Sequence, residues 1–230
     1  MTKKDSKNKN SDSLVDQIYN QILSTIQNRG IVRAEKLSAL SLSEQLGVSR
    51  TPVSFALYRL EIEGIISGEE KGGWVVNPLT LNDLDEIYGI KEQIFPLIVF
   101  LAAQNISPSD NAKLFIFVDE INRAMKWNDF NSWRVADKGF NSLLEANAGN
   151  KRLGAIERVV DNQLYILLTT YLALPSSNKN IFDLYQDIAS EVSSGNAELA
   201  KDKAIQLINV QKKNLRIFLQ DVVMPLLGSK

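Results

Sequence analysis

Apolar residues recur at helical spacing through most of the chain, but the length of the runs changes near residue 78. Leu14, Ile18, Ile22 and Ile26 fall every four residues and predict an amphipathic helix, capped by Ser13 and stopped at Gly30. A second, short helix is predicted over Ser38 to Leu46, with Leu42 and Leu46 facing inward and Gly47 as its stop. A third begins around Ser49 to Pro52, because proline suits a first helical turn whose N–H has no intrahelical partner. Val53, Leu57 and Leu60 form its buried stripe, and Gly64 ends it. Ile65-Ile66-Ser67 and Trp74-Val75-Val76 then read as two short strands around a glycine-rich turn, Gly68 to Gly73. This order of helix, helix, tight turn, helix and hairpin is the layout of a winged helix-turn-helix.

Asn77-Pro78-Leu79-Thr80 marks the boundary to a region of long helical periods. Thr80 and Asp83 have capping-box spacing, and Leu84, Ile87, Ile94 and Leu101 follow at helical intervals. Further helices are predicted from Pro108 to Trp127, from Asn128 or Asp129 to Gly149, and from Asn150 to Leu174 before Pro175. Two more run from Asn178 to Ser194 and from Asn196 to about Val223. Trp127 and Trp133 flank one of the turns and are expected in packing between helices. The predicted fold is mainly α: a disordered tail over residues 1–12, a winged helix-turn-helix over 13–78, and an all-α bundle of about six helices over 79–230.

Composition narrows the chemistry. Cysteine and histidine are both missing from the 230 residues, so disulfides, thiolate nucleophiles and imidazole catalysis or ligation are excluded. No phosphate loop or paired-carboxylate spacing stands out, so an enzyme is not expected. The basic start lacks the apolar stretch of a signal peptide, and the run Ile94 to Ala103 is too short to span a bilayer. A soluble, cytoplasmic protein is expected, with no membrane contact. The net charge of −1 means that any nucleic-acid contact must come from a local patch.

That patch carries a resemblance. Leu42-Ser43-Glu44-Gln45-Leu46-Gly47-Val48-Ser49-Arg50-Thr51-Pro52-Val53, with Ala56-Leu57, Arg59-Leu60-Glu61 and Glu63-Gly64-Ile65, resembles the DNA-binding domain of the GntR family of regulators. The resemblance implies duplex DNA as partner and a homodimer meeting two half-sites. Ser49, Arg50 and Thr51 would then meet the major groove, with Arg50 suited to guanine or phosphate, and the wing Lys71, Gly72 and Gly73 would approach the backbone. Some positions depart from the family. Leu40 and Ser54 replace arginines, Phe55 stands where an acidic residue is usual, and Arg33-Ala34 replaces a Pro-Gly turn. Residues 1–78 carry ten Lys/Arg against nine Asp/Glu, which predicts modest non-specific affinity and an altered operator.

The second region resembles the all-helical effector domain of the fatty-acid-regulator-like branch, through Asp137-Lys138-Gly139-Phe140, Ala148-Gly149-Asn150 with Leu153, and Gly195-Asn196 with Ala200. Many members hold a divalent metal with one aspartate and three histidines. Here Asp137 keeps the first place, and Asn141, Tyr185 and Leu207 fall in the others. That set cannot form a nitrogen-rich site, so no metal or cofactor is expected. Lys91, Asp137, Asn141 and Tyr185 would instead bind a small-molecule effector, with Lys91 suited to a carboxylate or acyl compound. The competing expectation is a metabolite- or partner-binding protein with a vestigial helix-turn-helix.

Overall fold

The computed structural model describes residues 13–29, 36–172 and 179–224, which fall into two compact units, Met1–Ile26 with Val32–Asn77 and Gln27–Ile31 with Pro78–Lys230. The tail over 1–12, Gly30, Arg33-Ala34 and Pro175, all singled out above, lie outside the described residues.

In the first unit, α1 (Leu14–Arg29) opens at Ser13, whose Oγ accepts from Asp16 N at 3.2 Å while Ser13 N donates back to Asp16. Ile18, Tyr19, Ile22, Leu23 and Ile26 are buried, whereas Leu14, expected on the same stripe, is half exposed at the helix end. After the two-residue strand β1 (Lys36–Leu37), α2 (Ala39–Leu46) is capped by Ser38 and closed by Gly47 at φ 65°. The left-handed conformation at Gly47 carries almost no steric cost without a Cβ, and it turns the chain directly into α3 (Arg50–Ile62). Val53, Ala56, Leu57 and Leu60 of α3 are fully buried. Strands β2 (Ile66–Gly68) and β3 (Trp74–Val76) form the predicted hairpin. β1 adds to it, giving an antiparallel sheet of order β1-β3-β2 with Leu37 opposite Trp74 and Ser67 opposite Val75.

The second unit is built from α4 (Leu81–Asn105), α5 (Pro108–Lys126), α6 (Phe130–Ala148), α7 (Lys151–Leu172), α8 (Lys179–Ser193) and α9 (Ala197–Phe218), the last running into a π-helical turn, Leu219–Val223. The starts of α4, α5 and α6 are set by side-chain caps from Thr80, Ser107 and Asp129. The Thr80–Asp83 capping box forms as the spacing predicted. α4 packs against α6, α7, α8 and α9, so its buried residues Leu84, Tyr88, Phe95, Ile98 and Ala102 lie in the core of the bundle. Pro96 is buried within α4 without ending it. Trp133 is buried as expected, but Trp127 is 78% exposed, so the expectation of interhelix packing fails for Trp127. It caps the C-terminus of α5, where the backbone turns through Asn128 at φ 53° and leaves the indole without a helix to cover it.

Candidate DNA-binding and effector sites

Ser49, Arg50 and Thr51 form the exposed start of α3. Ser49 occupies the N-cap but makes no side-chain cap bond, so its hydroxyl is not spent on the helix. The helix N-terminus presents backbone N–H groups that favour an anion such as phosphate. Lys71, Gly72 and Gly73 lie in the β2–β3 turn, where Gly72 and Gly73 take φ of 81° and 94°. A Cβ on Gly73 would lie 3.0 Å from the carbonyl oxygen of Leu37, so glycine is needed there for the sheet to close against β1.

The wing is anchored by a residue that the sequence reading did not select. Glu61 accepts from Gly68 N at 2.9 Å through one oxygen and from Trp74 Nε1 at 3.0 Å through the other, tying α3 to both strands. Arg59 is held by Asp16 at 2.9 Å and Glu63 at 3.1 Å and lies 3.8 Å over the Tyr19 ring. In the wing, Lys36 pairs with Glu69 at 2.6 Å.

In the second unit, Lys91, Asp137, Asn141 and Tyr185 all line one cavity of about 20 Å³. They arrive from α4, α6 and α8, and α7 contributes Asp161, Leu164 and Tyr165. Asp137 lies at the centre. Its Oδ1 accepts from Tyr185 OH at 2.6 Å, and its Oδ2 accepts from Tyr165 OH and, more weakly, from Asn141 Nδ2 at 3.4 Å. Asn141 also donates to Asp161 Oδ2 at 3.3 Å. Lys91 Nζ donates to Asp161 Oδ1 at 2.5 Å and to Glu157 Oε1. The other Glu157 oxygen is buried with no hydrogen-bond partner among the described residues.

Burial governs the protonation of this cluster. It pushes the Asp137 carboxyl up to about 6, with the nearby Asp161 charge adding to the rise and the two phenols opposing it. Burial likewise raises Glu157 to about 7, with Lys91 opposing the rise and the Asp161 charge adding to it. Burial opposes the charge on Lys91 too, but Asp161 and Glu157 reverse that and keep it protonated well above its ordinary range. Burial and the Asp137 charge raise both Tyr165 and Tyr185 well above the ordinary phenol range, so they stay neutral donors.

Lys91 was expected to face a ligand carboxylate, and the structure instead places it between two carboxylates of its own chain. Glu157, Asp161 and Tyr165 were not selected from the sequence. Their signal was available: they recur every four residues along α7, with Glu157 and Asp161 placing charge in a stripe otherwise made of Leu153, Val160, Leu164 and Leu168. Leu207 also lines the cavity, beside Asp137, Asn141 and Tyr185, the four positions at which the family resemblance would place metal ligands. This donor set does not fit a transition metal, because the single carboxylate among the four is already taken by two phenols and the remaining groups are an amide, a phenol and an alkyl chain.

Residues 14–76 match the gntR family of bacterial regulatory proteins, and residues 86–209 match the FCD domain. The chain is 26% identical over 210 residues to the uncharacterised HTH-type transcriptional regulator YdhC of Bacillus subtilis, covering 89% of this chain and 92% of that one. It is 30% identical over 117 residues to the HTH-type transcriptional regulator McbR of Escherichia coli, covering 51% and 53%. The solved structure of E. coli McbR/YncC superposes with a TM-score of 0.76 at 22% identity, covering 89% of this chain and 98% of that one. A GntR regulator from Rhodococcus sp. RHA1 does so with a TM-score of 0.69 at 17% identity, covering 87% and 96%. These families and relatives are transcription regulators, not enzymes. The chain belongs to the GntR family of bacterial regulatory proteins, as a member that carries an FCD domain.

Proposed function

We propose that this regulator is a cytoplasmic homodimer whose grip on DNA is set by a small-molecule effector bound in the cavity around Asp137. The observation that carries the reading is the convergence of Lys91, Asp137, Asn141 and Tyr185, from three helices, on one cavity. Buried polar clusters of this cost are uncommon without a use, and their pKa shifts mark a candidate binding site. Ser49, Arg50, Thr51 and the Lys71-Gly72-Gly73 wing are the proposed DNA contacts.

A cavity of about 20 Å³ holds about one water, so an effector enters only when the surrounding helices part. That requirement supplies a switch: an effector that binds the open bundle better than the closed one shifts the population between them. Its polar head would exchange for bonds that the cluster makes with itself. Lys91 is already paired with Glu157 and Asp161, and the Asp137 carboxyl lies nearby, so a further anion is disfavoured. A neutral acyl compound fits better, with its head on Asp137 and Asn141 and its chain against Phe95, Leu164 and Leu168. A carboxylate would bind only with uptake of a proton.

Hexanamide, hexanoate and hexylamine test this by thermal unfolding and by competition with operator DNA. Hexanamide is expected to raise the melting temperature of the native protein and change its operator affinity, with no effect on Asp137→Asn. Hexanoate is expected to act only at acidic pH. No response to any of the three, in either assay, would overturn the assignment.

A further inference from the structure

The outer face of α3 is unusually apolar for a helix that meets DNA. Thr51, Phe55, Tyr58 and Ile62 fall at i, i+4, i+7 and i+11, all exposed, opposite the buried stripe of Val53, Ala56, Leu57 and Leu60. Phe55 is 61% exposed, while the neighbouring Tyr58 leans edge-on against Trp74 at 5.6 Å. Beyond Arg50 at its start, the same helix presents little uncommitted positive charge. Arg59 is held by Asp16 and Glu63, and Ser54 is short and neutral. An exposed phenylalanine one turn after Thr51 is not explained by the core of this unit.

A phenyl ring has no hydrogen bond to offer a base edge. In the major groove the apolar feature that base edges present is the C5-methyl group of thymine. We propose that Phe55 is a specificity-determining residue that reads thymine by contact with its methyl group, at the half-site position facing the second turn of α3. The inference rests on the DNA-binding reading of α3 and adds which base is selected and how. It gives the altered operator a physical form, in which readout by methyl contact stands where a charged side chain is missing.

Duplexes enriched from a random pool by the full-length protein supply the test. Each dT of the enriched site is replaced singly by dU, which removes the methyl group and leaves every hydrogen-bonding atom in place. One substitution per half-site is expected to weaken native binding roughly fourfold, the worth of one buried methyl. Phe55→Ala is expected to bind the dT and dU duplexes equally, and Phe55→Leu to recover part of the difference, with both variants melting like the native protein because the side chain is exposed. Native affinity unchanged by dU at every position would overturn the proposal, as would a dU penalty kept in Phe55→Ala. Unchanged DNA affinity in Phe55→Ala with altered sedimentation would place Phe55 in a protein contact instead. Failure to enrich any duplex would overturn the DNA-binding reading itself, and this inference with it.

Discussion

Tyr185 on α8 donates its hydroxyl to Asp137 Oδ1 on α6 at 2.6 Å, and both groups are buried. The bond satisfies one oxygen of a carboxylate whose other oxygen accepts from Tyr165 and Asn141. Tyr185→Phe keeps the ring, which packs edge-on against Phe140 at 5.3 Å, and removes only the donor. It is expected to cost about 1–3 kcal/mol, the range for a buried acceptor left short of a partner. Chemical denaturation at pH 7.5 measures this, with a smaller loss expected at pH 5, where Asp137 is protonated. An equal loss at both pH values would disconnect Tyr185 from the charge on Asp137.

Glu157 gives the pH dependence of the second unit its sign. Its folded pKa is raised from 4.5 to about 7, so between those values the folded protein holds a proton that the unfolded chain has released. The associated stability is fully present below about pH 4.5 and is lost as pH rises through about 7. Asp137 acts in the same direction, between 3.8 and about 6. The melting temperature is therefore expected to fall by several degrees between pH 5 and 8 from these groups. Glu157→Gln should flatten that slope, as followed by calorimetry across the range.

Glu61 positions the wing through its two bonds to Gly68 N and Trp74 Nε1. Glu61→Gln keeps one acceptor and loses the other, for an expected cost of about 1 kcal/mol. Operator affinity is expected to drop severalfold in fluorescence anisotropy, with hydrogen exchange increased over β2 and β3 and unchanged in α4 to α9. Unaltered exchange in the wing would remove Glu61 from that role.

The homodimer proposed above would draw on α4, whose surface exposes Ile90 and Leu97 with Ile94 half-buried between them, a stripe at i, i+4 and i+7. Leu97→Glu is expected to shift the protein from dimer to monomer in sedimentation, at little cost to the monomer fold because the side chain is 41% exposed. A dimer surviving that change would move the interface elsewhere.

Local signals made most of the architecture legible. Ser38 and Gly47 bracket α2, Thr80 and Asp83 start α4, and Ser107 with Pro108 starts α5, each through chemistry confined to a few adjacent residues. The strand β1 went unread because two residues show no alternation, and its structure comes from pairing with β3 some 38 positions away (Lys36 with Val75 counts as 39, Leu37 with Trp74 as 37). The cluster around Asp137 was half visible for the same reason. Asp137 and Asn141 share one helix face at i, i+4, but the partners of Lys91 lie 66 and 70 residues along the chain, and no sequence spacing encodes that meeting. Glu157 and Asp161 reach Lys91 only because α7 turns them into the bundle.

On the proposed reading, α3 and the wing hold specific duplex DNA with few charges. Titrating salt against the complex of the full-length protein with the DNA upstream of its own gene, by fluorescence anisotropy, tests it most directly. The expected result is a specific complex with a shallow dependence on salt, reflecting few phosphate contacts, and its loss in Arg50→Ala without a change in melting temperature. No specific complex even at low salt, or full affinity in Arg50→Ala, would contradict it.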